Sequence, residues 1–265
     1  MTNAGPFRTI VAFLEFVGGL TQLLARTLAL APAALLSKRG RRLGWHNLWQ
    51  QMDRVGVKSV PIVLLVLFCI GAILSFQMAP ILREYGKLDS VADVISVAIF
   101  RELGPLISAI VLTGFAGASI AAEVGTMVVS EEIEALEAHA INPVRFLVVP
   151  RVLATTVMTV CIAILGDVAG VAGGLTVSAG FLGLSPVQYW THTFSVLQLR
   201  DFVTGLVKAG VFGLLISGLA CHLGLRVTGG AQGVGTATTR TVVYTIVALI
   251  FVDLLFTGVF YYLGF

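Results

Sequence analysis

The sequence predicts an all-α integral membrane protein. Five transmembrane helices are expected, with an N-terminal amphipathic helix at the membrane interface and a short acidic helix on the cytoplasmic side. Two observations predict this class. The first is composition: 17 Lys+Arg and 14 Asp+Glu are the only charged residues among 265, while 57% are hydrophobic. A charged share of 12% is about half the roughly 25% of soluble domains, too little to clothe a water-facing surface, so apolar side chains must face lipid. The second is distribution: the apolar residues gather in five runs long enough to cross a hydrocarbon core, which takes about 20 predominantly apolar residues. The same figures exclude disordered, collagen-like and coiled-coil chains, and a net charge of +3 leaves no broad basic face for nucleic acid.

Taken in order, the N-terminal segment places Arg8, Glu15, Gln22 and Arg26 within about 40° of one another on a helix. Ala12 and Gly19 share that stripe, and apolar residues fill the rest. A narrow polar stripe suits a helix lying in the cytoplasmic headgroup region; burial against the bundle, or cleavage as a signal peptide at the small-residue run Ala29 to Ala34, are the alternatives. The cluster Lys38, Arg39, Arg41 and Arg42 would anchor among anionic headgroups. The first span is Ser59 to Leu82, 24 residues without a charge. The second runs from about Val94 to Ala122 and carries Arg101 and Glu102 near its start. The third runs from Val152 past Ser178 with Asp167 inside, the fourth from Phe202 to Leu225 with Lys208, and the fifth from Thr241 to Phe265 with Asp253. The chain is expected to form one unit over 1–265, with 1–57 as the interfacial and cytoplasmic segment and 58–265 as the bundle.

Eight Lys/Arg precede the first span, which puts that end in the cytoplasm and, after five crossings, the C-terminus outside. There Phe260, Tyr261, Tyr262 and Phe265 suit an aromatic girdle. Ionisable groups at membrane depth are costly and face a partner, a cavity or the surface, so Lys208 is expected to pair with Asp167 or Asp253. A relay for protons or ions is the alternative. Arg101 and Glu102 are helix neighbours about 100° apart and need not pair with each other. Small residues spaced by four (Gly166, Gly170, Gly174; Gly114, Ala118, Ala122; Ala209, Gly213, Ser217, Cys221) mark close helix contacts, within one chain or between copies. Cys69, Cys161 and Cys221 are expected to be small buried hydrophobes.

The loop from Glu123 to Arg151 concentrates the polar residues. Ser130 reads as an N-cap, with Glu131 and Glu132 in the first turn of a helix that continues through Ile133, Glu134, Leu136 and Glu137 and stops before Asn142-Pro143. Ile133, Leu136 and Ala140 form its apolar side. A solvated connector is one reading; a helix that docks its apolar side on a cytosolic partner explains the pattern better. Catalytic chemistry is missing. None of the four histidines has a second one at metal-binding spacing, Gly117 to Ala121 lacks the last glycine of a nucleophile elbow, and Gly230 to Thr236 has the glycine spacing of a phosphate loop but no lysine. No cofactor or metal is expected, and any ATP that drives this chain must be hydrolysed by another protein.

Three stretches resemble the MlaE/YrbE family of ABC-transporter permeases, the membrane subunits of Mla and Mce lipid-transport systems. They are Phe100-Arg101-Glu102-Leu103-Gly104-Pro105; Ala121-Ala122-Glu123-Val124-Gly125-Thr126-Met127, continuing through 131–137 to Asn142-Pro143 and Pro150-Arg151; and Gly229-Gly230-Ala231 with Gly233-Val234-Gly235, 237–243 and Asp253. The resemblance implies a homodimer of permeases working with a cytosolic ABC ATPase and a periplasmic MCE-domain lipid-binding protein in a bacterial inner membrane. It further implies that residues 131–141 are the coupling helix that docks on the ATPase. Glu132 stands where the family commonly has Gln, Phe115 where it often has Arg, and Asn142 where Asp is usual. The function expected is phospholipid transport between the inner membrane and a periplasmic carrier; an ion-coupled secondary transporter or channel using Asp167, Lys208 and Asp253 is the rival.

Overall fold

A computed structural model describes residues 6–36 and 41–264, with side chains at 11, 12, 14–32 and 45–264. The side chains of Arg8, Lys38, Arg39, Arg41, Arg42 and Phe265, which bear on the expected stripe, basic anchor and aromatic girdle, lie outside that description. The described residues form α1 (Pro6–Leu36), α2 (Arg41–Met52), α3 (Val60–Glu84), α4 (Val91–Ala98), α5 (Gly104–Leu112), α6 (Ala118–Val129), α7 (Glu132–Ala138), α8 (Val149–Gly180), α9 (Pro186–Val196), α10 (Leu199–Gly224) and α11 (Gly230–Leu263). No strand occurs among them.

Five continuous helical stretches are long and apolar enough to cross a membrane: Trp45–Glu84, Leu88–Val129, Val144–Gly180, Leu199–Gly224 and Gly230–Leu263. The chain is an all-α membrane protein, as the composition predicts. The stretches outrun the apolar windows for a local reason. Along the polar start of α11 the threonine hydroxyls find partners on carbonyls one turn earlier: Thr236 to Gln232 at 2.9 Å, Thr238 to Val234 at 2.8 Å and Thr241 to Ala237 at 2.8 Å. The glycine-spaced segment 230–236 is therefore the opening of a helix and not a phosphate-cradling loop.

Wide turns with i→i+5 bonding interrupt the spans at Asp53–Val57, Ile99–Leu103, Thr113–Gly117 and Val144–Val148. Each inserts residues into the ladder and re-aims the face that follows. Around them α8 is the central helix, packed by α2, α3, α5 and α10. Glycine makes that packing close: a Cβ at Gly71 would lie 1.8 Å from Gly170 O, and one at Gly173 would lie 2.0 Å from Phe68 O. The α8 and α10 small-residue rows are thus spent within the chain, whereas Gly114 in the second span faces open space.

The expectations for the cysteines and for Ser130 are corrected. Cys69 and Cys161 are exposed and only Cys221 is buried, because the first two fall on outer faces of α3 and α8. Between α8 and α10 lies α9, anchored by Tyr189, whose hydroxyl donates to Val171 O at 3.3 Å and whose burial pushes its phenol pKa up. The described polar residues of the α1 stripe, Glu15, Gln22 and Arg26, are exposed. Gly19, Gln22 and Arg26 line a cleft with His222 and Arg226, while Val11, Leu14, Val17 and Leu28 are exposed. Ser130 does not cap α7 but ends α6, its hydroxyl donating to Thr126 O at 2.9 Å and to Glu132 Oε1 at 3.0 Å. The reversal into α7 is made by Glu131, whose φ of 60° is left-handed, and α7 is only 7 residues long.

Candidate functional site

The buried charges converge on α10. Lys208 is 1% exposed, and its ammonium donates to Glu102 Oε2 at 2.6 Å and Thr257 Oγ1 at 2.9 Å. Asp253 Oδ1 lies 2.9 Å from the same nitrogen, at ion-pair distance but without hydrogen-bond alignment. Thr257 completes the cluster by donating to Glu102 Oε1 at 3.1 Å.

Local features place each member. On α11 the buried residues Ala237, Thr241, Thr245, Leu249 and Asp253 recur every fourth position, one face of a helix, and Thr257 extends that row toward the lysine. On α10, Gly205 lies one turn before Lys208; a Cβ there would sit 2.2 Å from Phe100 O. Its missing side chain lets the wide turn Ile99–Leu103 press against α10 and bring Glu102 to the ammonium. Arg101, next along that turn, reaches Asp201 Oδ1 at 3.7 Å. Asp201 also accepts from the Gln198 N–H at 3.1 Å in a capping box that starts α10.

Of the intramembrane charges read from the sequence, the structure joins Lys208, Asp253 and Glu102, turns Arg101 to Asp201, and leaves Asp167 outside. Asp167 is 2% exposed, its Oδ1 has no hydrogen-bond partner, and a Cβ at Gly104 would lie 1.6 Å from that oxygen. Glu102, Thr257 and Asp201 escaped sequence reasoning as partners. Thr257 was findable as Asp253 plus one turn, and Asp201 by its cap spacing from Gln198. Nothing local announces the Glu102–Lys208 pair.

A second charged group stands toward the α6–α7 end. Glu123 Oε1 receives Arg54 Nη1 at 3.0 Å and Arg151 Nη2 at 3.1 Å, and Arg151 Nη1 also donates to Leu147 O at 2.9 Å. One carboxylate thereby ties the turn Asp53–Val57 and the start of α8 to α6. Beyond it α7 buries none of its residues. Glu131, Glu132, Glu134 and Glu137 are exposed, and Ile133 and Leu136 are half-buried. Ile133, Glu137 and Ala140 border a cleft of about 640 Å³ shared with Arg26 and Leu30 of α1, so α7 turns Ile133 toward its own chain and acids outward. Asn142 opens the next helix, its Oδ1 accepting from Val144 N at 3.0 Å and Arg145 N at 3.3 Å.

Five apolar spans closed around ion pairs at membrane depth are the architecture of a multi-pass transport subunit. The chain belongs to the MlaE permease family: the family model, described as Permease MlaE, matches residues 48–259. It is 38% identical over 212 residues to a probable ABC transporter permease protein of Rickettsia felis, covering 80% of this chain and 82% of that protein. It is 30% identical over 232 residues to the intermembrane phospholipid transport system permease protein MlaE of Haemophilus influenzae, covering 87% and 89%. It is also similar to the chloroplastic protein TRIGALACTOSYLDIACYLGLYCEROL 1 of Arabidopsis thaliana, 32% identical over 220 residues and covering 83% of this chain and 63% of that one.

Proposed function

We propose that the chain is the permease subunit of an ABC-type transporter that moves phospholipid or a related amphiphile between the inner membrane and a periplasmic MCE-domain carrier. It works as a homodimer, with ATP hydrolysed by a separate cytosolic subunit. Residues 1–265 act as one permease domain, with the N-terminus cytoplasmic and the C-terminus periplasmic, an orientation supported by the eight basic residues before the first span. The phospholipid assignment draws on the name of the Haemophilus relative.

The observation that carries the ATPase partner is α7. It has no fully buried residue and presents Glu131, Glu132 and Glu134 outward, a surface for a basic groove on a soluble protein. In this reading Ile133, Leu136 and Glu137 hold α7 at its working angle. The charges Arg101, Glu102, Lys208 and Asp253 join three elements that must keep register as the bundle rearranges, and Asp167 packs the turn below them. An ion relay through Asp167, Lys208 and Asp253 is less well supported, because Asp167 makes no ion pair with Lys208.

Co-purification tests the proposal. Replacing Glu131, Glu132 and Glu134 by Lys should abolish recovery of a cytosolic ATPase with the chain while leaving its thermal unfolding unchanged. Movement of a labelled lipid or an ion by the chain alone in liposomes, on an ion gradient and without any ATPase, would overturn it in favour of the secondary transporter.

A further inference from the structure

Where α1 crosses the C-terminal end of α10, two clefts meet at Arg226. The smaller, about 180 Å³, is lined by Gly19, Gln22, Arg26, His222 and Arg226; its neighbour, about 380 Å³, adds Phe16 and Arg240. Arg26, Arg226 and Arg240 are exposed. Among the described residues none of the three has a carboxylate at ion-pair distance. Glu137 borders the adjoining cleft with Arg26 but does not reach its guanidinium.

His222 adds a second, independent sign. The side chain is 4% exposed, yet its buried Nε2 has no hydrogen-bond partner, and a buried polar atom is normally satisfied. Gly19 is what lets α1 approach the ring. A Cβ there would lie 2.9 Å from His222 Cε1, 3.6 Å from Nε2 and 3.1 Å from Arg226 Nη2, so the missing side chain lets α1 close against these groups and bring Gln22 and Arg26 to the same cleft. Phe16 fixes the ring from the other side, edge-on at 5.1 Å.

Guanidinium groups present forked N–H donors that match the oxygens of a phosphate, and basic pockets between helices at the membrane surface hold lipid headgroups. The exposed apolar residues of α1, Val11, Leu14 and Val17, offer acyl chains apolar surface on the same helix. We infer that this cleft binds the phosphate ester of an anionic membrane lipid, through Arg26, Arg226 and the free His222 nitrogen. His222 lies 14 positions beyond Lys208 on α10, roughly 21 Å at about 1.5 Å per residue, so the site is separate from the Lys208 cluster and does not depend on the transport proposal. A lipid held there pins α1 to α10.

The full chain in detergent, titrated with dioleoylphosphatidylglycerol and followed by native mass spectrometry, tests this. Arg26→Gln with Arg226→Gln should weaken retention of the first lipid about tenfold or more. Arg26→Lys with Arg226→Lys, which keeps the charge and loses the fork, should restore only part of it, and Arg83→Gln, a charge loss elsewhere, should leave it unchanged. Gly19→Ala should weaken it by crowding His222. Unchanged retention in the double Gln variant would overturn the site. Glycerol 3-phosphate supplies the other source of the same chemistry: if it binds the wild-type chain and displaces the lipid at millimolar concentration, the assignment to a membrane lipid falls.

Discussion

Lys208 Nζ and Glu102 Oε2 form an ion pair at 2.6 Å although 106 positions separate them. It exists because Gly205 admits the turn Ile99–Leu103 against α10. With Asp253 and Thr257 it joins the second, fourth and fifth spans at membrane depth, where an unpaired charge is most costly.

Lys208→Met should therefore be the most damaging change in the bundle. It leaves two carboxylates facing each other without their cation, and breaking a buried pair from one side costs about 3–5 kcal/mol. Thermal unfolding in detergent should show a large fall in midpoint. Adding Glu102→Gln and Asp253→Asn should recover part of it; a triple variant less stable than Lys208→Met would show that the pairing is not the source of the loss.

Glycine substitutions should divide by what their Cβ meets. Gly71→Ala drives a methyl onto the Gly170 carbonyl at 1.8 Å, a backbone clash that cannot be relieved by a rotamer, and should cost about 1–3 kcal/mol or more. Gly114→Ala meets nothing within 4 Å and should be neutral or slightly stabilising through helix propensity. Unfolding midpoints of the two variants, measured together, check the contrast.

Glu123 should matter through one arginine more than the other. Its partner Arg151 has a side chain 5% exposed, while Arg54 is 50% exposed. Arg54→Gln should cost under about 1 kcal/mol, as solvent-exposed pairs do. Glu123→Gln strands the buried guanidinium and should cost several times as much. Equal losses for the two variants would contradict this division.

Glu131 carries the left-handed turn into α7 at φ 60°, a conformation that glycine adopts without the Cβ penalty. Glu131→Gly should leave the chain as stable or stabilise it by up to about 1 kcal/mol. If ATPase recovery falls in that variant while the unfolding midpoint holds, the carboxylate acts in docking; Glu131→Asn, which keeps the turn and removes the charge, should then behave like Glu131→Gly.

Much of this organisation was legible in advance, and the failures share a cause. The spans and the residues they carry, the exposed acids of α7 and the pairing of Lys208 with an aspartate follow from the order of residues. Ser130 was misread because cap propensity is local, whereas the end of α6 is set by a helix that keeps bonding through Val129. Glu102 was missed as a partner because a face drawn at 3.6 residues per turn loses its meaning across Ile99–Leu103. A single inserted residue rotates everything after it by about 100°.

By itself, then, the sequence determined that this protein lives in lipid, how many times it is able to cross, and which short helix carries the exposed acids. Those properties depend on composition summed over about 20 neighbouring residues, and such sums need no knowledge of what packs against what. Only the tertiary structure decided that Lys208 joins Glu102 and Asp253 and not Asp167, that Glu123 binds two arginines, and that Gly19 lets α1 close on His222. Each of these rests on a few ångströms of approach between distant helices, set by missing glycine side chains and wide turns, and the local composition of either partner carries no trace of that distance.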